Sequence, residues 1–275
     1  YRCRLALGSF QAWADNIVVS WERTWGPPQT LLSTSEWSVC TLAERTKVGS
    51  SCMMYRFRLQ GPNCVLPLQL GQEVTLCSLN RQNQVMNGSF YPLSPRDSAG
   101  HFEIVTGREH QDEGGEGFAD LLGLLAIGDE VAVRPGMQRL VYQGPYTPIT
   151  DVLMVASGLG IVPMLQMVRE LLPSRESSVD TASVVWLNEH AEDFALYDLL
   201  ETAFYKFHRK LDVSCIIERD LFGHQLASNE KVREAIPEFK IGALAVVSGP
   251  DDYFKAKVEA YLERHGWPRE VIVTL

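Results

Sequence analysis

The sequence lacks the patterns of several function classes. Its six cysteines are scattered, with no Cys-x-x-Cys pair, and neither they nor the six histidines fall at metal-ligand spacing. That argues against a zinc or iron–sulfur centre and against a disulfide framework. In a chain of 275 residues with cores of its own, the cysteines read as buried or free thiols of a reducing compartment. No apolar run reaches the roughly 18 residues that a membrane span requires. There is no Gly-x-Ser-x-Gly elbow and no Gly-Lys-[Ser/Thr] phosphate loop, so the hydrolase and P-loop signatures are missing. A net charge of -9 argues against general nucleic-acid binding and leaves room for a basic partner protein. The first residue is Tyr1 rather than Met, which fits a processed end and an organelle reached after loss of a targeting peptide.

What is present is a globular chain, 45% hydrophobic, long enough for two domains. Its most ordered stretch is residues 151–172, DVLMVASGLGIVPMLQMVRELL. The apolar run Val152-Leu153-Met154-Val155-Ala156 has the length of a buried parallel strand. Ser157-Gly158-Leu159-Gly160 is a tight turn. Ile161, Met164, Leu165, Val168, Leu171 and Leu172 then recur at helical spacing, with Pro163 near the first turn, where a missing N–H costs nothing. Strand, glycine turn and helix present free backbone N–H groups to an anion such as a pyrophosphate. The third glycine of the dinucleotide fingerprint is absent, because Pro163 stands there, so an ordinary strand–helix turn remains an equal reading of this motif alone.

The surrounding pattern divides the chain at about residues 36 and 145. Residues 1–36 carry a basic start, three tryptophans (Trp13, Trp21, Trp25) and a Gly26-Pro27-Pro28 break. An amphipathic helix at 12–25 would either pack its tryptophans on the body of the protein or serve as an arm for docking to a larger assembly or a membrane surface. Residues 37–145 read as short antiparallel strands at 39–43, 53–59, 70–76, 101–106 and 129–133, with a small helix at 118–126, which suggests a small barrel. Residues 146–275 alternate strand and helix: strands at 152–156, 183–187, 211–218, 243–247 and 271–274, helices at 163–172, 194–207, 229–236 and 252–265. That order predicts a parallel sheet covered on both faces, with ligands beyond the carboxyl ends of the strands. Three loops lie there: 157–160, 188–193 and Ser248-Gly249-Pro250.

A barrel followed by a parallel nucleotide domain with these loops resembles the ferredoxin–NADP reductase superfamily, in particular its cytochrome b5 reductase branch, over residues 37–275. The stretches that carry it are Leu70-Gly71-Gln72-Glu73-Val74, Leu140-Val141-Tyr142-Gln143-Gly144, Gly158-Leu159-Gly160-Ile161-Val162-Pro163-Met164-Leu165, and Ser248-Gly249-Pro250 with Gly266-Trp267-Pro268. The resemblance implies a β-barrel flavin-type domain plus an α/β nucleotide-binding domain, with FAD between them, NADH as electron donor and a protein or haem acceptor.

The implied flavin residues are Phe90, Tyr91, Pro92 and Ser94, with Gly115 and Gly117 at the phosphates. Gly158, Leu159, Gly160, Pro163, Asn188, Asp193, Gly249 and Pro250 would seat the nicotinamide nucleotide, and Ser248 stands where the family has its nicotinamide-orienting cysteine. Asp193 reads equally as a helix N-cap.

Departures cluster at the cofactors. The family's Arg-x-Tyr-Ser/Thr becomes Gly88-Ser89-Phe90-Tyr91, or Ser89-Phe90-Tyr91 after a one-residue slip, and the charge is lost in either register. A charge-assisted bond to phosphate contributes roughly 1.5–3 kcal/mol, so this loss alone weakens flavin binding by about 10-fold to 100-fold. The family's Gly-Lys-x-Ser becomes Gly115-Glu116-Gly117-Phe118. Arg96, Arg108 and Arg134 are candidates to restore a cation, though each reads first as a surface arginine. Residues 188–193 offer carboxylates and no arginine for a 2′-phosphate, which favours NADH over NADPH. Two functions follow: an NADH-dependent flavin oxidoreductase, or a catalytically degenerate member serving as an accessory subunit of a host complex.

Overall fold

The computed structural model describes residues 30–107, 117–174, 177–217, 226 and 229–275. The chain divides into two units, Tyr1–Thr30 and Leu31–Leu275. The expected helix at 12–25 and its tryptophans lie outside the described residues.

The first lobe of the larger unit is an antiparallel sheet of six strands: β1 (Ser38–Val48), β2 (Cys52–Arg58), β3 (Gln72–Leu79), β4 (Val85–Phe90), β5 (His101–Thr106) and β6 (Glu130–Gln138), in the order β4-β3-β6-β1-β2-β5. Alternation along the strands turns Cys40, Leu42, Tyr55, Phe57, Val74, Leu76, Val131 and Val133 inward to one core. The two sheet edges meet where Pro92 bridges Ile104 and the Leu93 N–H reaches the Glu103 carbonyl, so the sheet closes as a barrel. A short helix, α1 (Phe118–Leu124), sets Phe118, Leu121 and Leu122 into that core.

Several strands depart from the expectation, β1 among them, which runs on to Val48 rather than ending at 43. β4 was not expected, because Asn87 and Gly88 are poor strand formers; pairing with β3 over six residues overrides them. β6 runs past Pro135 and Gly136 to Gln138, where a bulge opposite Gln72–Val74 absorbs the irregularity. α1 ends at Leu124 rather than 126, and β3 starts at Gln72 because Gly71 holds a left-handed turn (φ 70°).

The second lobe is a parallel sheet of β7 (Asp151–Ser157), β8 (Thr181–Asn188), β9 (Leu211–Ile217), β10 (Ala243–Ser248) and β11 (Ile272–Thr274), in the order β9-β8-β7-β10-β11. Along β7, Val152, Met154 and Ala156 face one side, against α2 (Ile161–Leu171) and α3 (Tyr197–Phe207). Leu153 and Val155 face the other, against α4 (Glu230–Ala235) and α5 (Asp252–Arg264). A strand covered on both faces must be apolar at every position, which is the run seen in the sequence. The Asn229 and Asp251 side chains cap α4 and α5 by accepting the Val232 and Phe254 N–H groups. The expected helix at 194–207 begins only at Tyr197, after a separate 3₁₀ turn over Ala191–Asp193. Its N-cap is Leu196, so Asp193 does not cap it.

Candidate functional site

Strand order reverses between β7 and β10, and their carboxyl ends open beside the barrel. Register fixes what meets there: Ser157 pairs with Leu187 of β8, and Ser248 with Ala156. After β7 the chain turns tightly through a 3₁₀ segment, Gly158–Gly160, with Gly158 left-handed at φ 54°. The Gly158 N–H donates to Asn188 Oδ1 (2.8 Å), and Trp186 Nε1 donates to the Gly158 carbonyl (3.0 Å). The turn is therefore braced from β8.

Gly160 lies against the other loop. A Cβ there would fall 2.6 Å from the Ser248 carbonyl carbon and 2.8 Å from the Gly249 nitrogen, so only glycine lets the loops close. Gly249 in turn lies against the Phe254 ring. The Ser157–Gly160 turn and the Ser248-Gly249-Pro250 loop thus close on one another at the carboxyl ends of β7 and β10. Pro163 is the third residue of α2, where its missing N–H removes no helical bond. Asn188 and Ser248 are buried, and Asn188 Nδ2 has no hydrogen-bond partner among the described residues.

On the barrel side, the two aromatic residues of the flavin motif take different places. Phe90 is in the barrel core, 6.2 Å from Phe118 between ring centroids. Tyr91 instead packs against the apolar cluster that joins the lobes. Burial raises its phenol above the ordinary range, and the nearby Glu73 carboxylate adds to this without completing a hydrogen bond. Pro92 makes the bridge that closes the barrel, and buried Ser94 accepts the Glu103 N–H (3.1 Å). These two hold the barrel shut.

Gly88, the arginine position in the first register, faces the start of α1. A Cβ on it would come 2.6 Å from Phe118 Cδ1 and 2.9 Å from Phe118 Cβ. The Gly117 N–H donates to Asp120 Oδ2 (3.2 Å). Gly115 and Glu116 lie outside the described residues.

The lobes meet through apolar contact and two polar ties. Cys52, Leu93 and Val105 of the barrel share a buried cluster with Leu159, Met164 and Leu275. Leu159 Cδ1 stands 3.1 Å from where a Cβ on Gly107 would be, so this side chain closes the crevice against the end of β5. Arg96 pairs with Glu170 of α2 and also donates to the Leu68 carbonyl (3.3 Å), while Arg169 donates to the Leu93 carbonyl (2.9 Å). Arg96 is thus engaged with these partners and Arg134 stacks 4.4 Å from the Trp37 ring centre; Arg108 lies outside the described residues.

One cation on the barrel side was not singled out in the sequence. Arg139 pairs with Glu73 (3.3 Å) and its charge is felt by both Tyr91 and Asp252. Beside α1 a cleft of about 550 Å³ is lined by Lys47, Ser51, Tyr55, Thr106, Gly107 and Asp120. No His, Cys, Asp or Glu group among the described residues could hold a metal ion. Nor is any helix among them long and apolar enough to cross a membrane.

FAD is the group this architecture implies, and the fit is uneven. The glycine turn fits close backbone approach. The position of the pyrophosphate clamp does not: Gly88 stands in place of an arginine, Phe118 covers it, and a carboxylate already takes the Gly117 N–H.

Comparison with known proteins agrees with the fold. Residues 39–142 match the family model of the oxidoreductase FAD-binding domain. The chain is 30% identical over 193 residues to an NADH-cytochrome b5 reductase 1 of Aspergillus terreus, covering 67% of this chain and 62% of that protein. It thus spans about three fifths of the length of the first curated relatives it matches. The cytochrome b5 reductase domain of Ulva prolifera nitrate reductase superposes with a TM-score of 0.74 at 19% identity, over 90% of this chain and all of that one. The CS-b5R domains of human Ncb5or superpose with a TM-score of 0.67 at 19% identity, over 87% of this chain and 69% of that one. A closed antiparallel barrel, a five-stranded parallel sheet and a match on the flavin-domain side lead to one placement: residues 39–142 match an oxidoreductase FAD-binding domain, and the whole chain has a ferredoxin reductase-like fold similar to that of its named relatives in the cytochrome b5 reductase branch.

Proposed function

We propose that the chain is a flavin-dependent NADH oxidoreductase of the cytochrome b5 reductase type, passing electrons to a protein or haem acceptor. The observation that carries this reading is the closure of Gly160 on the Ser248–Gly249 backbone, which joins the loops of both central strands into one seat beside the barrel. A bound flavin supplies the redox chemistry: it takes a hydride and releases electrons singly. The chain's own residues bind and orient. Gly158, Gly160, Gly249 and Pro250 let the nicotinamide nucleotide approach the backbone, with Leu159 and Pro163 shaping the turn. Ser248 orients its ring, Asn188 Nδ2 offers an open donor, and Asp193 lies at the adenosine end. Tyr91 covers the flavin, with Phe90, Pro92 and Ser94 behind it and Gly115 and Gly117 toward its phosphates.

NADH is favoured over NADPH because Glu189, Glu192 and Asp193 would repel a 2′-phosphate. In domain terms, residues 37–145 hold the flavin, 146–275 the nucleotide, and 1–36 form an arm for peripheral association. The test is anaerobic addition of NADH to the purified chain with flavin present. Bleaching of the flavin absorbance, and electron delivery to ferricyanide or a b-type cytochrome, are expected. No bleaching under any flavin load refutes the redox role.

A second reading, an accessory subunit with decayed cofactor sites, is favoured by Phe118 lying on Gly88. Colourless protein isolated within a larger complex would support it.

A further inference from the structure

We infer that this chain does not grip the ADP half of a flavin dinucleotide, because the cradle for its pyrophosphate is filled from within. The inference rests on the flavin reading above and deepens it: the ligand class becomes a flavin held by its ring and ribityl chain alone. Three observations combine. First, Gly88 and Phe118 are a matched pair. The place of a side chain on Gly88 is taken by the root of Phe118, its Cβ, Cγ and Cδ1 all within 2.9 Å of the Cβ position. A rotamer change could swing the ring away, but the Phe118 Cβ is fixed by the helix backbone. Second, Phe118 is buried in the barrel core beside Phe90, so moving it exposes the core. Third, the Gly117 N–H already donates to the Asp120 carboxylate, an anion of the chain itself where a phosphate would sit. α1 has only seven residues and adds little dipole to attract a second anion.

Arg96, Arg134 and Arg139 do not make up the loss. Arg96 is tied to Glu170 and Leu68, Arg134 lies over Trp37, and Arg139 pairs with Glu73. Leu159 also fills space at the crevice, against Gly107, but it does so with a terminal methyl that can turn aside. The two closures therefore differ: the one at the ring is soft and the one at the pyrophosphate is hard.

The test titrates the full chain with FAD and, separately, with riboflavin, by flavin fluorescence. Dissociation constants within about 3-fold of each other are expected, since a working clamp of charge-assisted bonds would separate them by at least about 10-fold. A preference for FAD of 10-fold or more, or FAD co-purifying at one per chain, overturns the inference and leaves the redox proposal standing. Binding of neither flavin overturns the inference and the redox proposal together. Phe118→Ser with Gly88→Arg should create a preference for FAD of about 10-fold or more. A folded double variant without that gain overturns the inference. Should the pair fail to fold, Asp120→Asn on its own is expected to shift the FAD-to-riboflavin ratio toward FAD, and an unchanged ratio counts against the third observation.

Discussion

Gly160→Ala is the sharpest probe of the crevice, because the backbone there is ordinary. Gly160 has φ −56° and ψ −12°, which alanine adopts without strain. Any cost must come from contact. The added methyl would sit 2.6 Å and 2.8 Å from backbone atoms of Ser248 and Gly249, at the end of a fully buried central strand. Backbone in that position cannot move aside as a side-chain tip could. Relief requires sliding the β10 loop off the β7 turn. Overpacking of this kind costs about 1–3 kcal/mol, which for a unit of this size lowers the melting midpoint by about 2–12 °C.

Gly123→Ala is the matched control. Gly123 lies within α1, and a Cβ there has nothing within 4 Å. Alanine should therefore stabilise by about 0.4–1 kcal/mol through helix propensity and a less free unfolded chain. Thermal melts of the two variants should move in opposite directions. In NADH titrations Gly160→Ala should weaken binding while Gly123→Ala leaves it unchanged. Equal melting points for Gly160→Ala and the parent protein would refute the claim that the two loops are in backbone contact.

Trp186→Phe removes the bond from the indole N–H to the Gly158 carbonyl inside a fully buried site. It should cost about 2 kcal/mol in urea melts, part lost bond and part cavity. Glu170→Gln breaks the pair with Arg96 between the lobes; because Arg96 is about a third exposed, the loss should be no more than about 1 kcal/mol and should shrink in high salt. Asp151 accepts hydrogen bonds from Thr181 and Thr150, and the Thr181 bond is the leading reason its carboxyl lies below 3.8. A depressed folded-state value means stability that is present above the unfolded value and lost as pH falls through the folded one. Asp151→Asn should therefore destabilise by a constant amount above about pH 5 and by progressively less below about pH 4, read from melts across pH.

How much of this was legible in the sequence depended on whether local pattern and tertiary contact agreed. The β7–turn–α2 unit was legible to within two residues, because a doubly covered strand and an amphipathic helix leave opposite signatures, alternation lost and alternation at 3.6. β4 was not. Its Asn-Gly-Ser stretch carries no strand signal, and it becomes a strand only by pairing with β3. The brace of the turn was half legible: Asn188 was placed near the nucleotide, yet its bond to Gly158, and the bond from Trp186, depend on register across β7 and β8 that one sequence cannot show. Asp120 left a signal that was passed over, a carboxylate three residues after Gly117 at a helix start. Arg139 left none, since its place beside Tyr91 depends on the pairing of β3 with β6.

The departures from the family pattern then change meaning. Read singly, Gly88, Glu116 and Phe118 are three separate losses at a phosphate site, the trace of unselected drift. In space two of them are one event. A phenylalanine at the start of α1 can enter the barrel core only if the facing strand position has no Cβ, and a glycine there leaves a hole unless something as large as phenylalanine fills it. Drift predicts independent loosening, with voids and unpaired groups. What stands at this place is packed: Phe118 is 6% exposed, lies against Phe90, and the adjoining N–H is paired with Asp120. A site rebuilt to core density has been maintained as core. Phe118→Ala should therefore cost about 3–5 kcal/mol, as truncation of a core aromatic does. A vestigial ring over an abandoned pocket would cost less than about 1 kcal/mol. Urea unfolding of that single variant separates the two, and the smaller value would return the site to the category of decay.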